Sequence, residues 1–208
     1  LKTVLKSPKT YRNVLKYGNN IDSPALRAGK LLHWMVLEPQ TLDSKVFVDV
    51  KTRTTKAYKE ALTEHGEVYL ESERRAAERL TDALLRNEAA LELLNKAEFE
   101  VPEIAMIDGL PFRGKADILR SDSICDIKST ADISQFRWSA EKYGYDLQAW
   151  MYCKMFNKDK FSFLVIDKGS CDIAIFEASK EFIKKGKEKF NQAVSNYKYF
   201  FEENHDLD

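Results

Sequence analysis

Asp117 and Asp126 lie nine positions apart, and Asp126 is followed, after one apolar residue, by Lys128. If "KADIL" is a strand, alternation puts Lys115, Asp117 and Leu119 on one face and Ala116 and Ile118 on the other. In "CDIKS", Asp126 and Lys128 share a face while Ile127 points oppositely into apolar packing. Pairing of the two segments as a hairpin would set Asp117 beside Asp126, with Lys128 one step further along. Carboxylates that close repel unless a divalent cation lies between them, and hard cations such as Mg²⁺ take oxygen ligands of this kind. A lysine beside such a site can hold a water or a developing phosphate charge. An Asp-x-Lys triplet also recurs by chance, and a hairpin carrying ordinary solvated charges fits the same residues.

Whether these groups meet depends on the elements that carry them. "EVPEIAMI" and "PFRGKADIL" are extended segments joined at Asp108-Gly109, a good hairpin turn, and "SICDIKS" follows after "RSD". Upstream, Ser23-Pro24 reads as an N-cap with proline at the first helical position, opening a helix "ALRAGKLLHWMVLEP" that Pro39 closes. Residues 40 to 60 form a polar stretch, and residues 71 to 97 a long helix whose stripe is Leu80, Leu84, Leu91 and Leu94. A second long helix is expected over 132 to 157, then strands "FSFLVID" and "CDIAIFEA", then an amphipathic helix over 179 to 203. The order is helix, three strands, helix, two strands, helix, which describes one α/β unit without internal repeats.

The 208 residues suit a single domain, with residues 1 to 60 as a helical N-terminal part carrying His33. Thirty-three basic and thirty-three acidic residues cancel, so net charge gives no argument for nucleic acid or membrane surfaces, and any DNA contact must come from local patches. Cys125, Cys153 and Cys171 form no C-x-x-C pair, which speaks against zinc or an iron-sulfur cluster and for reduced thiols in the cytoplasm. There is no signal-peptide pattern and no apolar run of membrane length.

Helix, three-stranded meander, helix and strand, with Asp on the second strand and Asp-x-Lys on the third, resembles the PD-(D/E)XK nuclease superfamily. "DIKSTADISQFRWSAEKYGYDLQAWMY", with its Tyr-x-x-Gln after the lysine strand, looks like the RecE-type (RecB-like) exonuclease branch of phage or prophage origin. "SPKTYRNVL" and "AGKLLHWMVLEP" resemble that branch's N-terminal motifs, so the likeness runs from Ser7 to about Glu177. Ala116 stands where the superfamily's name has proline. The resemblance implies an α/β, restriction-endonuclease-like core with a central mixed sheet flanked by helices.

It also implies roles. Asp117 and Asp126 match the metal-binding carboxylates, the Ile127 carbonyl a further oxygen ligand, and Lys128 the lysine that orients or activates water. Glu103 matches an acidic position near the metal; a surface glutamate on a strand edge is an equal reading. His33, which its helix would otherwise make a structural histidine beside Leu26 and Leu37, matches a metal-site histidine. Gln148 matches the glutamine that approaches the lysine and phosphate, and Tyr145, on the same helical face, is either a DNA contact or core. Arg53 and Lys56, in a basic stretch with Lys51 and Lys59, and Arg113 could meet the DNA backbone or lie on solvated faces.

The implied activity is Mg²⁺-dependent digestion of linear double-stranded DNA, 5′ to 3′, with Mn²⁺ able to substitute, leaving a 3′ tail for recombination. Its implied partners are double-stranded DNA ends, a single-strand annealing protein and further copies of the chain in a ring. Alternatives on the same core are an endonuclease, a single-strand-specific nuclease or a non-catalytic DNA-binding module.

Overall fold

The computed structural model describes residues 1–19 and 22–203. Helix α1 (Lys2–Lys6) and helix α2 (Pro8–Tyr17) meet at Ser7, whose hydroxyl accepts the Thr10 N–H. Helix α3 (Pro24–Leu37) starts as its sequence dictates: the Ser23 hydroxyl accepts the Leu26 N–H, and Pro24 occupies the first turn, where no N–H is needed. Past Pro39 the polar stretch is more ordered than expected. It holds strand β1 (Val46–Val48) and the first half of helix α4 (Lys56–His65), and β1 pairs in parallel with strand β2 (Val68–Leu70). Strands of three residues are too short for a period of two to be visible.

The long helix expected over 71 to 97 is two, α5 (Glu71–Leu85) and α6 (Glu88–Leu94). Asn87 breaks it, because its side chain accepts the Ala90 N–H and so caps a new helix. The leucine stripe breaks there too: Leu80 and Leu84 are buried, whereas Leu91 is exposed and α6 buries Ala90 instead. The stretch from 132 to 157 is likewise divided, into α7 (Phe136–Lys142) and α8 (Tyr145–Met155), at Gly144 with φ 66°.

Strands β3 (Glu98–Ile107), β4 (Leu110–Leu119), β5 (Ser123–Thr130), β6 (Lys160–Asp167) and β7 (Ile173–Glu177) form one mixed sheet in chain order. Only the β5–β6 contact is parallel. The β3–β4 turn is the expected Asp108-Gly109, both at positive φ (50° and 81°), as a two-residue hairpin turn requires. Helix α9 (Lys180–Tyr197) continues into a wider turn over Lys198–Glu202 and packs on α8. A Cβ on Gly186 of α9 would lie 2.0 Å from the Asp146 carbonyl oxygen, so the two backbones approach where only glycine fits. The buried Asp146 carboxylate there meets Lys189 at 2.5 Å.

Each face of the sheet carries its own core. Leu32, Leu80 and Leu84 of α3 and α5 cover Ile118, Cys125, Ile127, Leu164 and Ile166. Phe136, Ala140 and Ala149 of α7 and α8 cover Ala116, Ile124, Phe161, Phe163 and Val165. Along β5 and β6 this alternation has the period of two that a strand imposes. Along β4 it does not: Ala116 and Ile118, expected to share a face, pack on opposite ones. The chain kinks between them, at Asp117. Rungs Ile118–Cys125 and Leu119–Ile124 pair β4 with β5, and the next rung would set Asp117 opposite Asp126, but there the strands part. The Asp117 carboxylate fills the fork by accepting the Ile127 N–H at 2.8 Å. On the other flank Glu100, at φ 53°, drops out of the β3–β4 ladder between rungs Phe99–Ile118 and Val101–Ala116.

Candidate metal centre

Three elements bring polar side chains to this kink. Helix α3 supplies His33, whose Nε2 lies 3.0 Å from the Ile127 carbonyl oxygen and 3.5 Å from Asp117 Oδ2. Strand β3 supplies Glu100, with Oε1 3.6 Å from His33 Nδ1. Strand β4 supplies Asp117, and one ligand atom from each of these three side chains lies within 4.8 Å of the others. Strand β5 adds Asp126 and Lys128, which form a close ion pair, and α8 adds Gln148, whose Nε2 donates to Asp126 Oδ1 at 2.5 Å.

The charges are poorly matched without a further cation. Burial raises the Asp117 carboxyl to about 7, and the nearby Asp126 charge pushes in the same direction. Burial works against the Lys128 ammonium, but Asp126 and Asp117 outweigh it and hold its pKa above the usual lysine range. Lys128 therefore stays charged, with its Nζ 4.9 Å from the centre of the Tyr145 ring.

Two carboxylates, an imidazole and a backbone carbonyl make an oxygen-rich donor set of the kind Mg²⁺ and Mn²⁺ accept. Neighbouring ligands of an octahedral ion at about 2.1 Å lie about 3 Å apart. His33 Nε2 and the Ile127 carbonyl have that separation, and Asp117 Oδ2 is close to it. The residues fit a divalent ion held by His33, Glu100, Asp117 and the Ile127 carbonyl.

The structure therefore brings together His33, Asp117, Asp126, Ile127, Lys128 and Gln148. It does not bring Glu103: that carboxylate accepts its neighbour's N–H at Ile104, and the acid that β3 contributes to the cluster is Glu100. The kink explains the difference, because positive φ at Glu100 turns its side chain out of the ladder. A signal for Glu100 was present. Counting rung by rung from Ile107–Leu110 across the Asp-Gly turn sets Glu100 opposite Asp117. Lys115, expected on the face of β4 that carries Asp117, forms a close ion pair with Glu100 and reaches Glu38 at 3.3 Å.

The DNA-contact candidates divide. Arg53 is spent inside the fold, on Glu73 at 2.7 Å and on the Tyr58 hydroxyl, so it acts as a tie between α4 and α5. Lys56 is exposed on α4, 3.6 Å from Glu60. Arg113 is exposed on β4, in the same strand as Asp117, and Tyr145 opens α8 with Lys128 over its ring. The cleft above the cluster, about 760 Å³, is lined by His33, Glu100, Lys115, Lys128 and Tyr145.

The family described as "PDDEXK-like domain of unknown function (DUF3799)" matches residues 1–206. No curated protein matches the sequence. Among solved structures, a candidate exonuclease from Eubacterium rectale is 16% identical at TM-score 0.66, covering 90% of this chain and 74% of that one. A phage-related exonuclease from Haemophilus somnus 129PT is 16% identical at TM-score 0.39, covering 78% of this chain and 94% of that one. The first likeness shows the fold, and the five-stranded mixed sheet flanked by helices is restriction-endonuclease-like. Among the described residues no helix is long and apolar enough to cross a membrane.

Proposed function

This chain belongs to that PDDEXK-like family, and from this premise we propose that it is a divalent-metal-dependent deoxyribonuclease acting on the ends of linear double-stranded DNA. The observation that carries the reading is the juxtaposition of His33, Glu100 and Asp117 with the Asp126–Lys128 pair. An ion bound there supplies Lewis-acid charge to a phosphate oxygen and lowers the pKa of a bound water. The chain's own groups do the rest. Asp117 and Asp126 hold the negative charge that draws the ion in, and Gln148 fixes one oxygen of Asp126. Lys128, kept protonated, stands where it can orient the attacking water and take up developing phosphate charge.

End-dependence, 5′ to 3′ polarity, a ring of identical subunits and a single-strand annealing partner in the cytoplasm of a bacterial host are supported by the RecE-type resemblance. The experiment incubates the protein with Mg²⁺, 5′-phosphorylated linear duplex DNA labelled at either end, and a closed circle. Loss of the linear DNA from its 5′ ends, abolished in Lys128→Ala, is the expected result. Cutting of the circle would make the protein an endonuclease. Equal degradation by Lys128→Ala would remove the catalytic role from this cluster, and binding without any cutting would make the chain a DNA-binding module.

A further inference from the structure

The break between α7 and α8 leaves the direction of α8 unset by either helix. Gly144, at φ 66°, offers no side chain to cap α8. Helix α9 spans the break instead. The Lys189 ammonium donates to the Glu141 carbonyl oxygen, in the last turn of α7, at 3.4 Å and to Asp146 Oδ2, in the first turn of α8, at 2.5 Å. Lys185, one turn earlier on α9, reaches the Glu141 carboxylate at 3.1 Å.

The Asp146 side chain is fully buried, whereas that of Lys189 is 39% exposed. An acid in the first turn also serves the helix dipole, but a solvated one does so without being buried against a cation from another helix. Stripping water from a carboxylate costs about as much as its ion pair returns, so stability alone does not account for the pair. What it adds is a fixed position, because the carboxylate is satisfied only with the ammonium in place. One turn into α8, Gln148 reaches the metal centre. Asp126 is buried there, with Gln148 on one oxygen and Lys128 on the other. A shift of α8 withdraws the donor from Asp126 Oδ1 and changes the balance that holds Lys128.

We infer that Asp146 and Lys189 are positioning residues for the nuclease site. Lys189 fixes the start of α8, α8 fixes Gln148, and Gln148 fixes the Asp126 oxygen next to the Lys128 pair. The consequence for catalysis rests on the nuclease reading; the placement of Gln148 does not.

The test uses the paired variant Asp146→Asn, Lys189→Met, which removes both charges so that neither is left buried alone. In isotopically labelled protein the two Gln148 carboxamide protons, one of them donated to a carboxylate, should be widely split in the unaltered chain and should draw together in the variant. Cleavage of linear duplex DNA in Mg²⁺ should fall about 10- to 100-fold, the usual cost of losing a group that orients a ligand. Once Gln148→Ala has removed the donor, the same pair of substitutions should cost no more than about twofold further, because the two losses act through one contact. Should the paired variant not fold, Asp146→Asn alone, which keeps the shape of the side chain, should move these readings in the same direction. An unchanged Gln148 resonance in the folded variant, or a loss of cleavage as large with Gln148→Ala as without it, overturns the positioning role. Absence of cleavage by the unaltered protein overturns the nuclease reading, and the Gln148 resonance then decides the positioning by itself.

Discussion

At the scale of residues, Glu100 and Glu103 of β3 make opposite predictions. Glu100 lies with His33 and Asp117, whereas Glu103 is turned to its own strand. Glu100→Gln should raise the Mg²⁺ concentration for half-maximal cleavage tenfold or more, since the loss of an outer-shell partner alone costs about 10- to 100-fold. Glu103→Gln should leave it unchanged; a metal titration of both variants decides. The Asp117 carboxyl supplies a second prediction. Its pKa rises from 3.8 to about 7 on folding, so the folded chain holds the proton more tightly than the unfolded one. Its contribution to stability is therefore full below the unfolded value and is lost as pH climbs through the folded one. Melts in chelator should show stability falling over that interval, and Asp117→Asn should flatten the fall. Added Mg²⁺ should restore the melting temperature at high pH, by binding the folded form alone.

At the scale of elements, the close approach of α8 and α9 is the sharpest constraint. Gly186→Ala would drive a methyl group into the Asp146 carbonyl, at 2.0 Å, and displace the helix that carries Tyr145 and Gln148. We expect destabilisation of about 3 kcal/mol or more, at the upper end of the cost of overpacking, read from urea unfolding. Strand order, the Asp-Gly turn and the cap at Ser23 were legible because each rests on local chemistry. So were Asp117, Asp126 and Lys128 as neighbours, through spacing and a two-rung hairpin. The breaks at Asn87 and Gly144 were missed because a capping side chain or one glycine divides a helix without changing its average composition. The kink at Asp117 was illegible for a different reason. Strand alternation assumes an unbroken ladder, and here a carboxylate replaces one rung. Arg53, read as either a DNA contact or a solvated residue, pairs with Glu73, which a local reading does not reach because it lies in another element, 20 residues away.

At the scale of the whole molecule, balanced charge limits how DNA can be captured. With 33 charges of each sign, no net field draws a polyanion from a distance, so retention must come from local cations and from geometry. A closed ring would supply that geometry. Light scattering of the unaltered protein should then give a mass of at least three times the 24.0 kDa chain, because two copies close on each other through one isologous interface and enclose no opening. A mass of one chain, unchanged by adding DNA, would remove the ring, while the metal centre would stand, since all its ligands come from one chain.

The amide of Ile127 has an unusual partner. In place of a neighbouring strand's carbonyl it donates to the Asp117 carboxylate, while its own residue's carbonyl faces His33. That single N–H is thus a resident spectroscopic probe: its proton chemical shift and solvent-exchange rate will follow whether Asp117 carries a proton, a bare charge or a cation. One labelled isoleucine would report the occupancy of the site in solution without any substrate.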